Sequence, residues 1–220
     1  MDDGVDGMAS TTRVLRTLTV GAALTAGYVL ARQRALRLGA TQVERSVTLP
    51  GDDLVPTPDV VATRAITVQA PASSVYPWLL QLGQGRGGFY SYDALENLVG
   101  LDIHSADEIL PELQTLAVGD AVHLAEQFAL TVAQLEPDHA VVLHGGAPAL
   151  PDEDVPPFDF SWSFVLRPGP LPDTSRLVIR ERYACLEPWA RPVVETASWI
   201  STLMTEKMLR GIRDRAELHG

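Results

Sequence analysis

Residues 60–83, V-V-A-T-R-A-I-T-V-Q-A-P-A-S-S-V-Y-P-W-L-L-Q-L-G, change period in the middle. Up to Gln69 the stretch carries an alternating strand signal in Ala65, Ile66, Thr67 and Val68. Ala70-Pro71 then opens a helix, since proline suits a first turn where its missing N–H has no partner to lose. Val75, Trp78, Leu79 and Leu82 give that helix one apolar face. Pro77 lies about one turn in, where it is tolerated; deeper in a longer helix it would force a kink.

Downstream, Leu82 to Asp107 reads L-G-Q-G-R-G-G-F-Y-S-Y-D-A-L-E-N-L-V-G-L-D-I-H-S-A-D. Gly83, Gly85, Gly87 and Gly88 allow tight turning and close approach of backbone to another group. Gly83 to Gly88 matches G-x-G-x-x-G, but it follows a helix rather than a strand and has no acidic partner at a strand end. A dinucleotide site therefore does not fit. Tyr92, Leu95, Leu98 and Val99 fall at helical spacing, so a short helix from about Tyr92 to Val99 is predicted, capped by Ser91 and stopped by Gly100.

Strand signals then recur at Ala121–Leu124, Phe128–Leu135, Ala140–His144, Phe160–Leu166 and Leu177–Cys185, separated by turn residues or by the Pro/Asp-rich run Pro148 to Pro157. Successive strands on such short connections imply an antiparallel meander. The last segment is helical from Pro192, with Val193, Ala197, Ile200, Met204, Met208 and Ile212 forming one apolar stripe widened by Trp199 and Leu203. A helix this long has a large surface to cover. The stripe alone leaves open whether the space beneath is filled or hollow.

The strand followed by A-P-A-S-S-V-Y-P-W-L-L-Q-L-G resembles the opening of the START/Bet v 1-like superfamily, also termed SRPBCC, which includes polyketide cyclase/dehydrase-like proteins. The match runs through Ala70, Pro71, Val75, Tyr76, Trp78 and Leu79, and the resemblance covers about residues 60–218. The glycine-rich stretch resembles a bacterial subgroup of that superfamily, a likeness that brings no activity with it. The resemblance implies an α+β helix-grip fold: a curved antiparallel sheet of six to seven strands wrapped on a long C-terminal helix. An N-terminal apolar helix precedes it.

The net charge is −11, distributed unevenly: residues 1–47 hold six arginines against four acids, so the body is more acidic than the whole. An acidic body lacks the clustered Lys and Arg that nucleic-acid binding draws on, and no nucleic-acid partner is expected. Cys185 is the only cysteine, which excludes an internal disulfide. Thr17 to Ala31 is uncharged for 15 residues, with Arg13 and Arg16 before it and Arg32, Arg34 and Arg37 after. Three readings fit: a membrane anchor, a signal peptide cut near Ala31, or a helix packed on a soluble domain. The run spans about 22 Å against a hydrocarbon core of roughly 30 Å, which snorkelling arginines can extend. The expected organisation is a disordered tail over 1–12, an apolar helix over 13–37 as membrane anchor, a linker or extended arm over 38–59, and the helix-grip domain over 60–220. The arginine excess after the run places the body on the cytoplasmic side; the alternative is export after cleavage.

His104 with Asp107, and Asp102 nearby, forms the most enzyme-like local grouping, since a carboxylate can orient an imidazole for general-base work; the i,i+3 spacing of His104 and Asp107 also suits a turn contact. Arg86 could hold an anion in a fork or clamp the loop backbone. Glu96 reads as a solvated face of the short helix. Arg180 and Arg182 share one face of a strand, with Glu181 on the other, at a surface or rim. His123, His139, His144 and His219 lack metal-ligand spacing, so no metal and no cofactor is expected. The leading expectation is a membrane-tethered domain that binds a small apolar molecule or lipid under the final helix. Its ligand contacts would be Gln84, Arg86, Tyr90, Tyr92, Trp162 and Met204. The alternatives are a cyclase- or hydrolase-like enzyme using His104 and Asp107 at the cavity mouth, and a membrane-tethered protein-interaction domain.

Overall fold

The computed structural model describes residues 21–98, 100, 102–126, 128–145 and 158–219. In chain order its elements are helix α1 over residues 21–35, α2 (Gln42–Ser46), β1 (Val60–Val68), α3 (Ala72–Leu80), α4 (Asp93–Leu98), a single 3₁₀ turn (Pro111–Leu113), β2 (Ala121–Ala125), β3 (Phe128–Glu136), β4 (Ala140–Gly145), β5 (Phe158–Pro168), β6 (Ser175–Cys185) and α5 (Ala190–His219). Residues 1–36 and 37–220 form two compact units, each described by itself.

In the larger unit the described strands form one six-stranded sheet in the order β1-β6-β5-β4-β3-β2. Every neighbouring pair is antiparallel. The meander from β2 to β6 follows from the short turns, and β1 closes against β6. Together with the long C-terminal helix on a curved sheet, this is the α+β helix-grip architecture the sequence predicts. β5 and β6 are its spine, 11 residues each and paired without interruption from Phe158↔Cys185 to Pro168↔Ser175.

Because side chains alternate across a strand, each strand has a helix face and an outer face. The helix face carries Phe160, Trp162 and Phe164 of β5 opposite Tyr183, Glu181 and Ile179 of β6, with Val141 and Leu143 of β4 alongside. α5 packs over β1 and β6, and against α3. α3 seats Val75, Tyr76, Trp78 and Leu79 in the core.

The buried side of α5 coincides only in part with the stripe expected from its apolar residues. Val194, Ser198, Thr205, Met208, Ile212 and Ala216 are buried, whereas Val193, Ile200 and Leu203 are exposed. Two of those buried positions are hydroxyls: Ser198 Oγ donates to the Glu195 carbonyl at 2.9 Å within the helix, and Thr205 is held from the sheet beneath. Glu181 points at α5 and accepts from Ser201 Oγ at 2.6 Å and Thr205 Oγ1 at 3.0 Å.

The outer face is covered by residues 37–59. Thr41 and Glu44 form a capping box that starts α2. Leu49 joins Ala65, Ala140, Val165 and Val178 in an apolar cluster on that face. Arg180, buried within the layer, donates to the carbonyls of Val47 at 2.9 Å and Glu44 at 2.6 Å, and to Asp52 Oδ2 at 2.6 Å. Arg176 donates to Glu44 Oε1 at 2.7 Å, and Arg182 to the Val55 carbonyl at 2.9 Å. Arg180 and Arg182 do share a face, as the alternation requires, but that face is an interior layer rather than a surface or rim.

The membrane anchor expected over residues 13–37 is overturned: among the described residues no helix is long and apolar enough to cross a membrane. The described part, residues 21–35, rises about 22 Å and ends in Arg32 and Arg34, short of the roughly 30 Å required. The helix runs unbroken through Ala31. The cytoplasmic placement of the body rested on that anchor and falls with it. The tail expected over residues 1–12 lies outside the described residues.

Candidate ligand cavity

A cavity of about 350 Å³ lies between the helix face of the sheet and the middle of α5, from Ala197 to Met208. Its rings are Phe89, Phe128, Phe158, Phe160, Trp162 and Tyr183. Phe160 stacks on Tyr183 at 4.5 Å between centroids, and Phe89 leans on Trp162 at 6.3 Å. Ile200, Met204 and Met208 of α5 supply the opposite wall. Ile200 also faces solvent, being 61% exposed, and so stands at the opening.

Phe89 reaches the cavity because the glycine-rich loop folds back on itself. Gly83 and Gly88 bridge one another, and Gly87 N–H donates to the Gln81 carbonyl at 2.7 Å. Gly88 adopts φ +72°, and a Cβ there would meet the His104 carbonyl oxygen at 2.8 Å, so a side chain is excluded on both counts. Tyr90 is buried with its ring edge-on to Trp78, and its hydroxyl donates to the Trp78 carbonyl at 3.3 Å. Arg215 lies over the same ring at 5.0 Å.

α4 is oriented opposite to its apolar pattern. Tyr92, Leu95 and Leu98 are exposed, and Glu96 is turned inward at 4% exposure. Its two polar neighbours impose this orientation. Asp93 accepts from Ser105 N–H and Ser105 Oγ, both at 2.7 Å. Asn97 Nδ2 donates to the Ile103 carbonyl at 2.8 Å. Asp93 and Asn97 sit four apart on one face, so stapling residues 102–106 with that face leaves Glu96 toward the cavity. Ser91 does not cap the helix; its hydroxyl bonds to the Met204 carbonyl at 3.3 Å.

The reading of Glu96 as a solvated face is therefore corrected: it lines the cavity. Burial, and next the charge of Asp93, push its carboxyl up to about 7, against the lowering pull of the Ser91 hydroxyl. Glu96 Oε2 and Trp162 Nε1 are both buried and without a hydrogen-bond partner among the described residues. Leaving such an atom unpaired costs about 1–3 kcal/mol, so two in one cavity wall are an unusual expense.

The remaining polar wall is satisfied. Arg64 Nη1 donates to Glu181 Oε1 at 2.7 Å and Arg64 Nη2 to Thr202 Oγ1 at 2.8 Å. Tyr183 OH donates to Glu181 Oε2 at 3.1 Å, and burial, then the charge of Glu181, raises the phenol well above its ordinary value. Local patterning gave no sign of this cluster, since Arg64 and Glu181 are 117 positions apart.

The expected contacts divide. Trp162 and Met204 line the cavity; Gln84, Arg86, Tyr90 and Tyr92 are not among its lining residues. Gln84 N–H donates to the His123 carbonyl at 2.8 Å. Arg86 Nη2 holds the carbonyls of Leu80 at 2.8 Å and Leu113 at 3.2 Å, the backbone clamp rather than the anion fork. Tyr92 is exposed. His104 and Asp107 do not meet: the His104 ring, 80% exposed, contacts Asp102 at 3.1 Å, and Asp107 pairs with Arg215 at 2.7 Å. Neither lines the cavity. Among the described residues no group of three or more His, Cys, Asp or Glu is placed to hold a metal.

No protein-family model matches the chain, and no curated protein matches it. Solved structures to which it is similar include hypothetical protein jhp0584 from Helicobacter pylori, at 13% identity over 80% of this chain and 99% of that one, with a TM-score of 0.48. CalU16 from Micromonospora echinospora is 13% identical over 72% of this chain and 84% of that one, with a TM-score of 0.35. The di-domain ARO/CYC BexL from the BE-7585A biosynthetic pathway is 15% identical over 72% of this chain, with a TM-score of 0.39; the chain spans 47% of BexL's length.

Proposed function

We propose that this chain binds a small apolar molecule in the cavity between the helix face of the sheet and α5. The observation that carries the reading is the cavity itself: about 350 Å³, walled by six aromatic rings, in a core whose other large side chains are fully buried. Protein interiors are packed nearly as densely as organic crystals, so a space of this size is kept for an occupant or left at a cost in stability. Pockets of about 300–1,000 Å³ with apolar walls and a few placed polar groups are the usual form of small-molecule sites.

The test is native mass spectrometry of the full chain, before and after organic extraction, with naphthalene added back as probe. A bound or bindable apolar molecule that is lost in Ala197→Phe supports the reading. A chain that takes up nothing, with Ala197→Phe raising stability and changing nothing else, sinks it.

The enzymatic alternative is the less favoured reading, because the His104 imidazole pairs with Asp102 and the Asp107 carboxylate with Arg215, and neither His104 nor Asp107 lines the cavity. General-base work needs the base within hydrogen-bond reach of its orienting group and of the bound molecule.

A further inference from the structure

Two observations on the cavity wall narrow the ligand, on the premise that the cavity binds a small apolar molecule. Trp162 Nε1 and Glu96 Oε2 are buried and without partners among the described residues, and both side chains line the same space from opposite elements, β5 and α4. Buried polar atoms are nearly always paired in folded proteins, so an orphan donor and an orphan carboxyl oxygen ask for groups that the described residues do not supply. An indole N–H can only donate, so its missing partner is an acceptor; the partner of Glu96 is a hydroxyl that donates to it or, when the acid is protonated, an oxygen that accepts.

The charge of that partner is constrained as well. The described lining residues include no Lys, Arg or His, and they include two carboxyls, Glu96 and Glu181. Arg64, the cation behind this wall, is committed to Glu181 and Thr202. Glu181 is itself occupied by Arg64, Ser201, Thr205 and Tyr183. An anionic ligand would meet no lining cation and the Glu96 carboxyl in a low-dielectric space, where an unpaired charge is expensive, while the Arg64–Glu181 pair is neutral overall.

We infer that the cavity selects an uncharged, oxygen-bearing apolar molecule, a hydroxyl or carbonyl compound whose oxygen takes the Trp162 indole hydrogen and whose polar end meets Glu96, and that it discriminates against the carboxylate of the same skeleton. The rings around Trp162 hold the skeleton, and the two unpaired atoms fix its orientation.

Equilibrium dialysis of the full chain at neutral pH with naphthalene, 2-naphthol and 2-naphthoate tests this. The expected order is 2-naphthol about fivefold tighter than naphthalene, the scale of one net hydrogen bond, with 2-naphthoate at least about tenfold weaker than 2-naphthol. Trp162→Phe keeps a ring in place and removes the donor; whatever it does to the affinity for the bare skeleton, it should narrow the ratio between 2-naphthol and naphthalene measured on the same variant. Glu96→Gln keeps the shape and should leave the rejection of 2-naphthoate weaker than in the parent. Naphthalene and 2-naphthol binding equally, or 2-naphthoate binding as well as 2-naphthol, overturns the selectivity while leaving the apolar cavity standing. If none of the three binds, the apolar-ligand reading fails first and the selectivity with it. The parent chain's ranking of the three probes decides the matter even if a variant does not fold.

Discussion

Arg64 and Glu181 are joined at 2.7 Å with side chains 0% and 1% exposed, a charge pair sealed between β1, β6 and α5. Hydroxyls of Ser201, Thr202, Thr205 and Tyr183 complete both ends. Removing one partner leaves the other charged, buried and alone. Arg64→Met should therefore lower unfolding free energy by about 3–5 kcal/mol in urea denaturation. Arg64→Met combined with Glu181→Leu should recover much of that loss, and a double variant no better than the single would show that the pair is not coupled.

Glu44 ties the covering segment to Arg176. Burial alone would raise its carboxyl, but the hydrogen bond from Arg176, the Thr41 backbone and hydroxyl, and the charge of Arg176 outweigh it and bring it from 4.5 to about 2. A carboxylate lowered in the folded state binds its proton less readily there than in the unfolded chain. Its contribution is fully present above pH 4.5 and fades as pH falls toward about 2. Glu44→Gln should lower the denaturation midpoint at pH 7 and make little difference near pH 2. Equal gaps at both pH values would count against the assignment.

Glu96 behaves with the opposite sign. Its carboxyl is raised from 4.5 to about 7, so between those values the folded chain holds a proton that the unfolded chain has released. Stability should decline as pH climbs through that window and level off above it. Glu96→Gln should be the more stable chain at pH 8, by about 1–3 kcal/mol, with the difference vanishing at pH 4. Parallel melting curves for the two chains at pH 4 and pH 8 are the outcome this account forbids.

Gly211 lies inside α5, where alanine ordinarily gains about 1 kcal/mol over glycine. Here a Cβ would come within 2.2 Å of the Tyr90 carbonyl oxygen, a backbone atom held by its own loop. The clash should prevail, and Gly211→Ala should cost about 2–3 kcal/mol by chemical denaturation. A neutral or stabilising result would mean that the loop moves away from the helix freely.

The strands were legible because a period of two survives in any burial: Phe160, Trp162 and Phe164 share one face and Ser161 and Ser163 the other, as read from the sequence. The A-P-A-S-S-V-Y-P-W-L-L helix was legible for a similar reason, its apolar side being its buried side. α4 was misread in orientation and α5 only in part, since Ala197, Ile200, Met204 and Met208 of its expected stripe do line the cavity. The inward positions missed, Glu96 on α4 and Ser198 and Thr205 on α5, are polar, and what makes Glu96 and Thr205 inward lies elsewhere in the chain. Asp93 and Asn97 fix α4 through residues 102–106, and Glu181 fixes the phase of α5 from a strand. The apolar run before Arg32 was misread as a span because snorkelling arginines were counted on to make up the difference between about 22 Å and the roughly 30 Å of a hydrocarbon core.

β6 has a property that follows from Arg180, Glu181 and Arg182 lying side by side in it. A slip of this strand by a single residue would swing Glu181 toward the carboxylates of Glu44 and Asp52 and aim a guanidinium at Arg64, so both layers would object together. Mispairing during folding is thereby penalised twice over, and the alignment of β6 between β1 and β5 is proofread by like charges.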